Sequence, residues 1–99
     1  GGPVMLDGDI TVVADARLAN RAGLAARLGT PASLPDAAAI AAAYRRWGSE
    51  CAAHLEGAYA FALWDARARR LVCARDVAGI RPLCYRIEDG ALRFAQSPG

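Results

Sequence analysis

Two carboxylates stand out among the residues whose types could do chemistry. Asp15 follows a β-branched run and Asp36 sits in the first turn of a helix-like segment, so the pair could face each other across a site. Each also has a plainer reading. Asp15 could close a turn after a strand, and Asp36 could rest at the positive end of a helix. His54 has no second histidine and no cysteine cluster to complete a metal set, so it reads as a surface or helix-end residue. Cys51, Cys73 and Cys84 are an odd number at wide spacing, which fits reduced thiols used as small packing residues. The glycines are isolated, so no phosphate-cradling loop is present. Arg67, Arg69 and Arg70 are expected to solvate a hairpin tip. These residue types alone leave the function open.

Composition narrows the class. The 99 residues fit one domain, and 55% hydrophobic with 22% charged residues argues for a folded chain. All twelve basic residues are arginines, yet the net charge is only +2 because acids are scattered among them. That mixture gives no sign of a nucleic-acid surface. Charged residues interrupt every apolar run, so no membrane span is expected. With no export leader and no paired-cysteine pattern, the expectation is a cytoplasmic domain. Both ends look cut: Gly1-Gly2-Pro3 opens abruptly, and Ser97-Pro98-Gly99 stops directly after a strand-like segment.

Several elements must position those residues. Asp7-Gly8-Asp9 marks a turn into a buried strand over Ile10–Ala14, and Asp15-Ala16-Arg17 is read as leaving it. Asn20 is a good N-cap for a short helix through Leu24 and Leu28, with Gly29 as its stop. Ser33 through Asp36 resembles a capping box for a second helix, in which Ile40, Ala43, Tyr44 and Trp47 form an apolar stripe ending at Gly48. A third short helix is expected from Ser49 to Gly57. Tyr59, Phe61 and Leu63 then alternate with alanines, which predicts a strand covered on both faces. Asp65–Arg69 turns the chain back into a hairpin partner, Arg70–Asp76. Gly79 and Pro82 punctuate a loop. Leu83–Ile87 and Ala91–Ala95 form a second hairpin around Asp89-Gly90. The order predicts an α+β fold with an antiparallel meander.

Three segments together resemble one family. They are Val13–Arg21, then Pro35-Asp36 with Ile40, Ala43, Tyr44 and Trp47-Gly48, and finally Leu55–Asp65 followed by Ala74–Leu83. The last is the most specific: Gly57-Ala58-Tyr59-Ala60-Phe61-Ala62-Leu63-Trp64-Asp65 and Arg75-Asp76-Val77-Ala78-Gly79-Ile80-Arg81-Pro82-Leu83. It is similar to the G-x-F-A-F-A-L-x-D and R-D-x-x-G-x-x-P-L signature of the glutaminase domain of asparagine-synthetase-type class II glutamine amidotransferases. The likeness runs in order over nearly the whole chain.

That resemblance implies part of the N-terminal-nucleophile hydrolase fold, a four-layer αββα sandwich. It implies that residues 1–99 are the C-terminal portion of a glutaminase-like domain. The segment bearing the nucleophilic cysteine would lie upstream, and the synthetase domain that uses ATP and magnesium would lie downstream. No cysteine stands near Gly1, so the chain alone is expected to lack glutaminase activity and to carry no catalytic residue, cofactor or metal of its own. Asp36 falls where the family has the aspartate that binds the substrate's α-amino group. Asp15, Ala16 and Arg17 fall where glutamine-hydrolysing members carry Asn-Gly-Glu, whose amide and glycine N–H stabilise an oxyanion. The resemblance therefore implies a substrate site at Asp15, Ala16, Arg17 and Asp36 that is degenerate and takes glutamine or nothing. The alternative is a non-catalytic scaffold, as in relatives such as lasso-peptide cyclases and β-lactam synthetases. The remaining domains of the parent enzyme are the expected partners, with self-association through exposed apolar surface.

Overall fold

The computed structural model describes residues 4–77, 80–88 and 91–94. Six strands form one antiparallel sheet in chain order: β1 (Val4–Asp7), β2 (Ile10–Leu18), β3 (Gly57–Asp65), β4 (Arg70–Val77), β5 (Ile80–Glu88) and β6 (Ala91–Phe94). Between β2 and β3 the chain forms α1 (Arg21–Leu28), α2 (Asp36–Trp47) and a 3-10 helix (Gly48–His54). The α+β arrangement is as expected, and these residues make one sheet and one helical layer. No helix among the described residues is long and apolar enough to cross a membrane.

The helical layer covers one face of the sheet. Ile10, Val12, Ala14 and Leu18 of β2 are buried there with Tyr59, Phe61 and Leu63 of β3 and Val72 and Ala74 of β4. They meet the α2 stripe Ile40, Ala43 and Tyr44, which joins them in one core cluster with Leu24, Cys51 and Leu55. Small side chains at Ala37, Ala41 and Ala43 let the helix backbone approach the strands closely. Burial pushes the Cys51 thiol up to about 12, with nearby Cys84 adding to it. The thiolate needed for reactivity is thereby suppressed.

The other face is open. Val13 and Trp64 are 47% and 43% exposed, and Ala58 and Ala60 are exposed too. The expectation that β3 would be covered on both faces is therefore not met by the described residues.

Several boundaries also differ from the sequence reading. β1 was not expected, and β2 continues through Asp15-Ala16-Arg17 to Leu18 in unbroken register with β3. Ser33 does not cap α2. Pro35 takes the N-cap position, and the Ala39 N–H bonds the Pro35 carbonyl at 2.9 Å. Asn20 does precede α1, yet its side chain caps nothing. Instead its amide donates to the His54 carbonyl at 3.0 Å and accepts from the Glu56 N–H at 3.1 Å. The expected third helix is a 3-10 helix that ends at His54. Pro82 lies inside β5 rather than in a loop, in a stretch that β6 does not pair, where a missing N–H is tolerated. The Asp89-Gly90 turn lies outside the described residues.

Gly57 fixes the junction between the helices and the sheet. Its φ is +117°, and a Cβ there would lie 2.4 Å from the Arg17 carbonyl oxygen and 2.7 Å from the Ala19 nitrogen. Only glycine meets both conditions without displacing backbone. Beside it the Ala19 N–H bonds the Glu56 carbonyl at 2.7 Å, locking the end of β2 to the start of β3.

Candidate functional site

The end of β2 locked by Gly57 carries two of the residues singled out in the sequence. Alternation along the strand puts Asp15 and Arg17 on the open face, while Ala14 and Leu18 point to the core. With Ala58, Tyr59 and Ala60 of β3 and Arg75 and Asp76 of β4 they line a cavity of about 470 Å³. Asp15 pairs across from Ala60, and Ala60 from Arg75, so the small alanine leaves room between a carboxylate and a guanidinium.

The far wall is shaped by an irregularity in β4, whose register against β5 shifts between Arg75 and Val77. Asp76 turns its carboxylate to the Tyr59 backbone N–H, which donates to Oδ1 at 2.7 Å. Burial, reinforced by the Asp76 charge, pushes the Tyr59 phenol up to about 12. Its hydroxyl donates to the Ala52 carbonyl at 3.2 Å on the covered face, so the phenol points away from the cavity and supplies no acid–base group to it near neutral pH.

Ala16, the third predicted site residue, sits between Asp15 and Arg17 and is half-buried against the core. β1 pairs β2 only as far as Val13, so Ala14–Leu18 has β3 on one side and no described strand on the other. In such an edge, alternate backbone N–H and C=O groups point away from the ladder.

Asp36 is not among the residues lining this cavity. It opens α2, and its Oδ1 lies 3.3 Å from Arg21 Nε. The same guanidinium donates through Nη2 to the Leu34 carbonyl, which pins the loop before α2 to the start of α1. The structure thus brings Asp15, Ala16 and Arg17 together at one strand end and gives Asp36 a partner of its own.

The sequence reading assigned no site role to Arg21, Tyr59, Arg75 or Asp76. Arg75-Asp76 was visible as a motif pair, but nothing in its spacing announced that it would lie beside Asp15.

Comparison with known proteins decides the family. Residues 2–98 match a family described as a glutamine amidotransferase domain. The chain belongs to that family. Among curated relatives, a Mycobacterium tuberculosis protein provisionally named an asparagine synthetase (glutamine-hydrolyzing) is 54% identical over 48 residues, 48% of this chain and 7% of its own length. Bacillus subtilis asparagine synthetase (glutamine-hydrolyzing) 3 is 36% identical over 59 residues, 60% of this chain and 10% of its own. The matched part is thus a small fraction of either relative. Among solved structures, the glutamine phosphoribosylpyrophosphate amidotransferase of B. subtilis superposes with a TM-score of 0.66. It shares 14% identity, over 97% of this chain and 31% of that one, which establishes a shared fold. This amidotransferase domain is of the kind found in asparagine-synthetase-like proteins.

Proposed function

We propose that the chain is the glutaminase-like portion of an ATP-dependent, amide-forming enzyme of asparagine synthetase type, acting in the cytoplasm, and that its glutamine-hydrolysing site is degenerate. The observation that carries this reading is the charge at the end of β2. Asp15 and Arg17 occupy the positions where the resemblance expects an asparagine amide and a glutamate.

An ionised carboxylate offers no N–H, and it repels the negative charge that develops on an attacked amide. Loss of one oxyanion donor costs about 2.7–4 kcal/mol of barrier, and the opposing charge adds to that. Arg17 likewise presents a cation where a substrate ammonium would need an anion. Asp36 keeps its carboxylate, but it pairs with Arg21 and does not line the cavity, so both the oxyanion side and the ammonium side differ from the expected pattern.

ATP and magnesium would act in a synthetase domain outside these residues. No group of three His, Cys, Asp or Glu side chains converges among the described residues.

A second reading, favoured by the same Asp15 and Arg17, makes the domain a scaffold. In that case the parent would form its amide from an amine already on its substrate, as in a lasso-peptide cyclase or β-lactam synthetase.

The test is ATP-dependent product formation by the full-length protein with glutamine or ammonium at equal concentration. Preference for ammonium supports the first reading, and formation of product with neither supports the second. Efficient use of glutamine, abolished by replacing an upstream cysteine, would overturn both.

A further inference from the structure

Away from the cavity, three side chains from three elements meet at the corner where α1, α2 and the 3-10 helix converge. The His54 ring stacks on Trp47 with centroids 3.8 Å apart and planes 11° from parallel. The Arg27 guanidinium lies over the same indole, 5.0 Å from its centroid. Arg27 Nη2 also reaches His54 Nδ1 at 3.2 Å. A guanidinium can only donate, so Nδ1 must be the accepting nitrogen and the ring proton must sit on Nε2. The contact exists only while His54 is neutral.

We propose that Arg27, Trp47 and His54 form a proton-sensitive latch that holds the C-terminal end of α1 onto the end of α2. Protonating His54 removes the acceptor and sets an imidazolium against a guanidinium, so Arg27 is expelled from the indole face and the last turn of α1 loosens. The N-terminal end of α1 is tied separately, by Arg21 to Asp36 and the Leu34 carbonyl. The latch therefore frees one end of the helix and leaves the other held.

The charged groups that act on the ring are Arg27 from α1 and Glu50 from its own 3-10 helix, with uncharged Trp47 facing it from α2. Asn20 reaches the His54 backbone carbonyl and does not touch the ring. Partial burial and then Arg27 lower the His54 pKa from its ordinary value, while Glu50 opposes them.

The sign follows by linkage. The unfolded chain binds the proton more tightly than the folded one. The latch is therefore intact above the ordinary histidine range and is lost as pH falls from that value through the lowered one.

The experiment is an NMR titration of the His54 ring, with amide exchange along α1 corrected for intrinsic pH dependence. In the wild-type chain, protection of the Leu24–Leu28 amides should fall by several-fold through the His54 midpoint, and in His54→Gln it should not change with pH. Arg27→Gln should raise the midpoint. Glu50→Gln, which leaves α1 untouched, should lower it and so tests the ring's environment even if the Arg27 variant folds poorly. A midpoint unmoved by both substitutions, or protection of α1 that ignores the protonation of His54, would overturn the latch.

Discussion

The two faces of this sheet are built on opposite plans from the same strands. On one face Val12, Leu63 and Val72 are fully buried under the helical layer, in one cluster with the alanines of α2. On the other, Val13, Trp64, Ala60 and Asp15, each next in the chain to a buried residue, stand open. A strand commits alternate side chains to opposite faces, so a single register serves both purposes. The covered face carries the stability of the chain. The open face carries its unspent chemistry, with a carboxylate, two guanidiniums and room between them.

That contrast can be broken most sharply on the covered side. Phe61 is 5% exposed within the main cluster, and Phe61→Ala should cost about 3–5 kcal/mol by leaving a cavity under the helical layer. Chemical denaturation of the variant reads this directly, and an unchanged midpoint would mean that the helical layer does not rest on β3.

Next in size is the hinge between the faces. Gly57→Ala should destabilise by more than about 1 kcal/mol, because the new methyl meets the Arg17 and Ala19 backbone at positive φ. The end of β2 should shift as well, so amide chemical shifts at Asp15 and Arg17 should move together with stability.

A smaller effect is expected at the rim, where the Tyr44 hydroxyl donates to Asp65 at 2.6 Å and accepts from Arg70 at 3.1 Å. Tyr44→Phe should cost about 1 kcal/mol. Partial burial raises the Asp65 pKa, but the Tyr44 hydroxyl, the Ala68 and Arg67 amides and Arg70 outweigh it and leave the carboxyl below its usual value. Its contribution is thus present above the ordinary aspartate range and is lost as pH falls through the lowered value. Acid titration of stability should show less of this loss in Tyr44→Phe.

The smallest effect should come from the open side, where Val13→Thr should stay within about 0.5 kcal/mol in this chain. A larger loss would mean that the open face is covered in solution.

The covered face was largely legible in the sequence, and the open one was not. Tyr59, Phe61 and Leu63 declare their side by period-two alternation, and Ile40, Ala43 and Tyr44 by helical spacing, because burial imposes a pattern on residue type. Asp15-Ala16-Arg17 imitates a turn, because charged residues on an open strand face look like residues leaving a strand. β1 is four residues long and too short to show a period. The missing Ser33 cap has a local cause: the Leu34 N–H bonds the Pro31 carbonyl at 3.1 Å in a turn that displaces the helix start to Asp36. The contacts among Tyr44, Asp65 and Arg70, or between Arg27 and His54, join residues far apart in the chain and leave no spacing to read. The family itself was legible from the motif residues of β3 and β4, whose order the matched region preserves.

The position of the helices within the meander also sets an order of assembly. β3, β4, β5 and β6 follow one another through short connections, so each hairpin closes a small loop. β2 must instead meet β3 across the whole helical insertion, with Leu18 opposite Gly57 and Ile10 opposite Asp65. Closing the larger loop costs more chain entropy, though the cost rises only logarithmically with length. Hairpins form in about 1–10 μs. The expected sequence is a β3–β4 hairpin first, then the joint docking of α2 and β2, whose zippering draws in β1. On this route the strand end bearing Asp15 and Arg17 becomes ordered after the β3–β4 hairpin and before β1. Substitutions such as Val12→Ala should then speed unfolding more than they slow folding, while Val72→Ala should do the reverse.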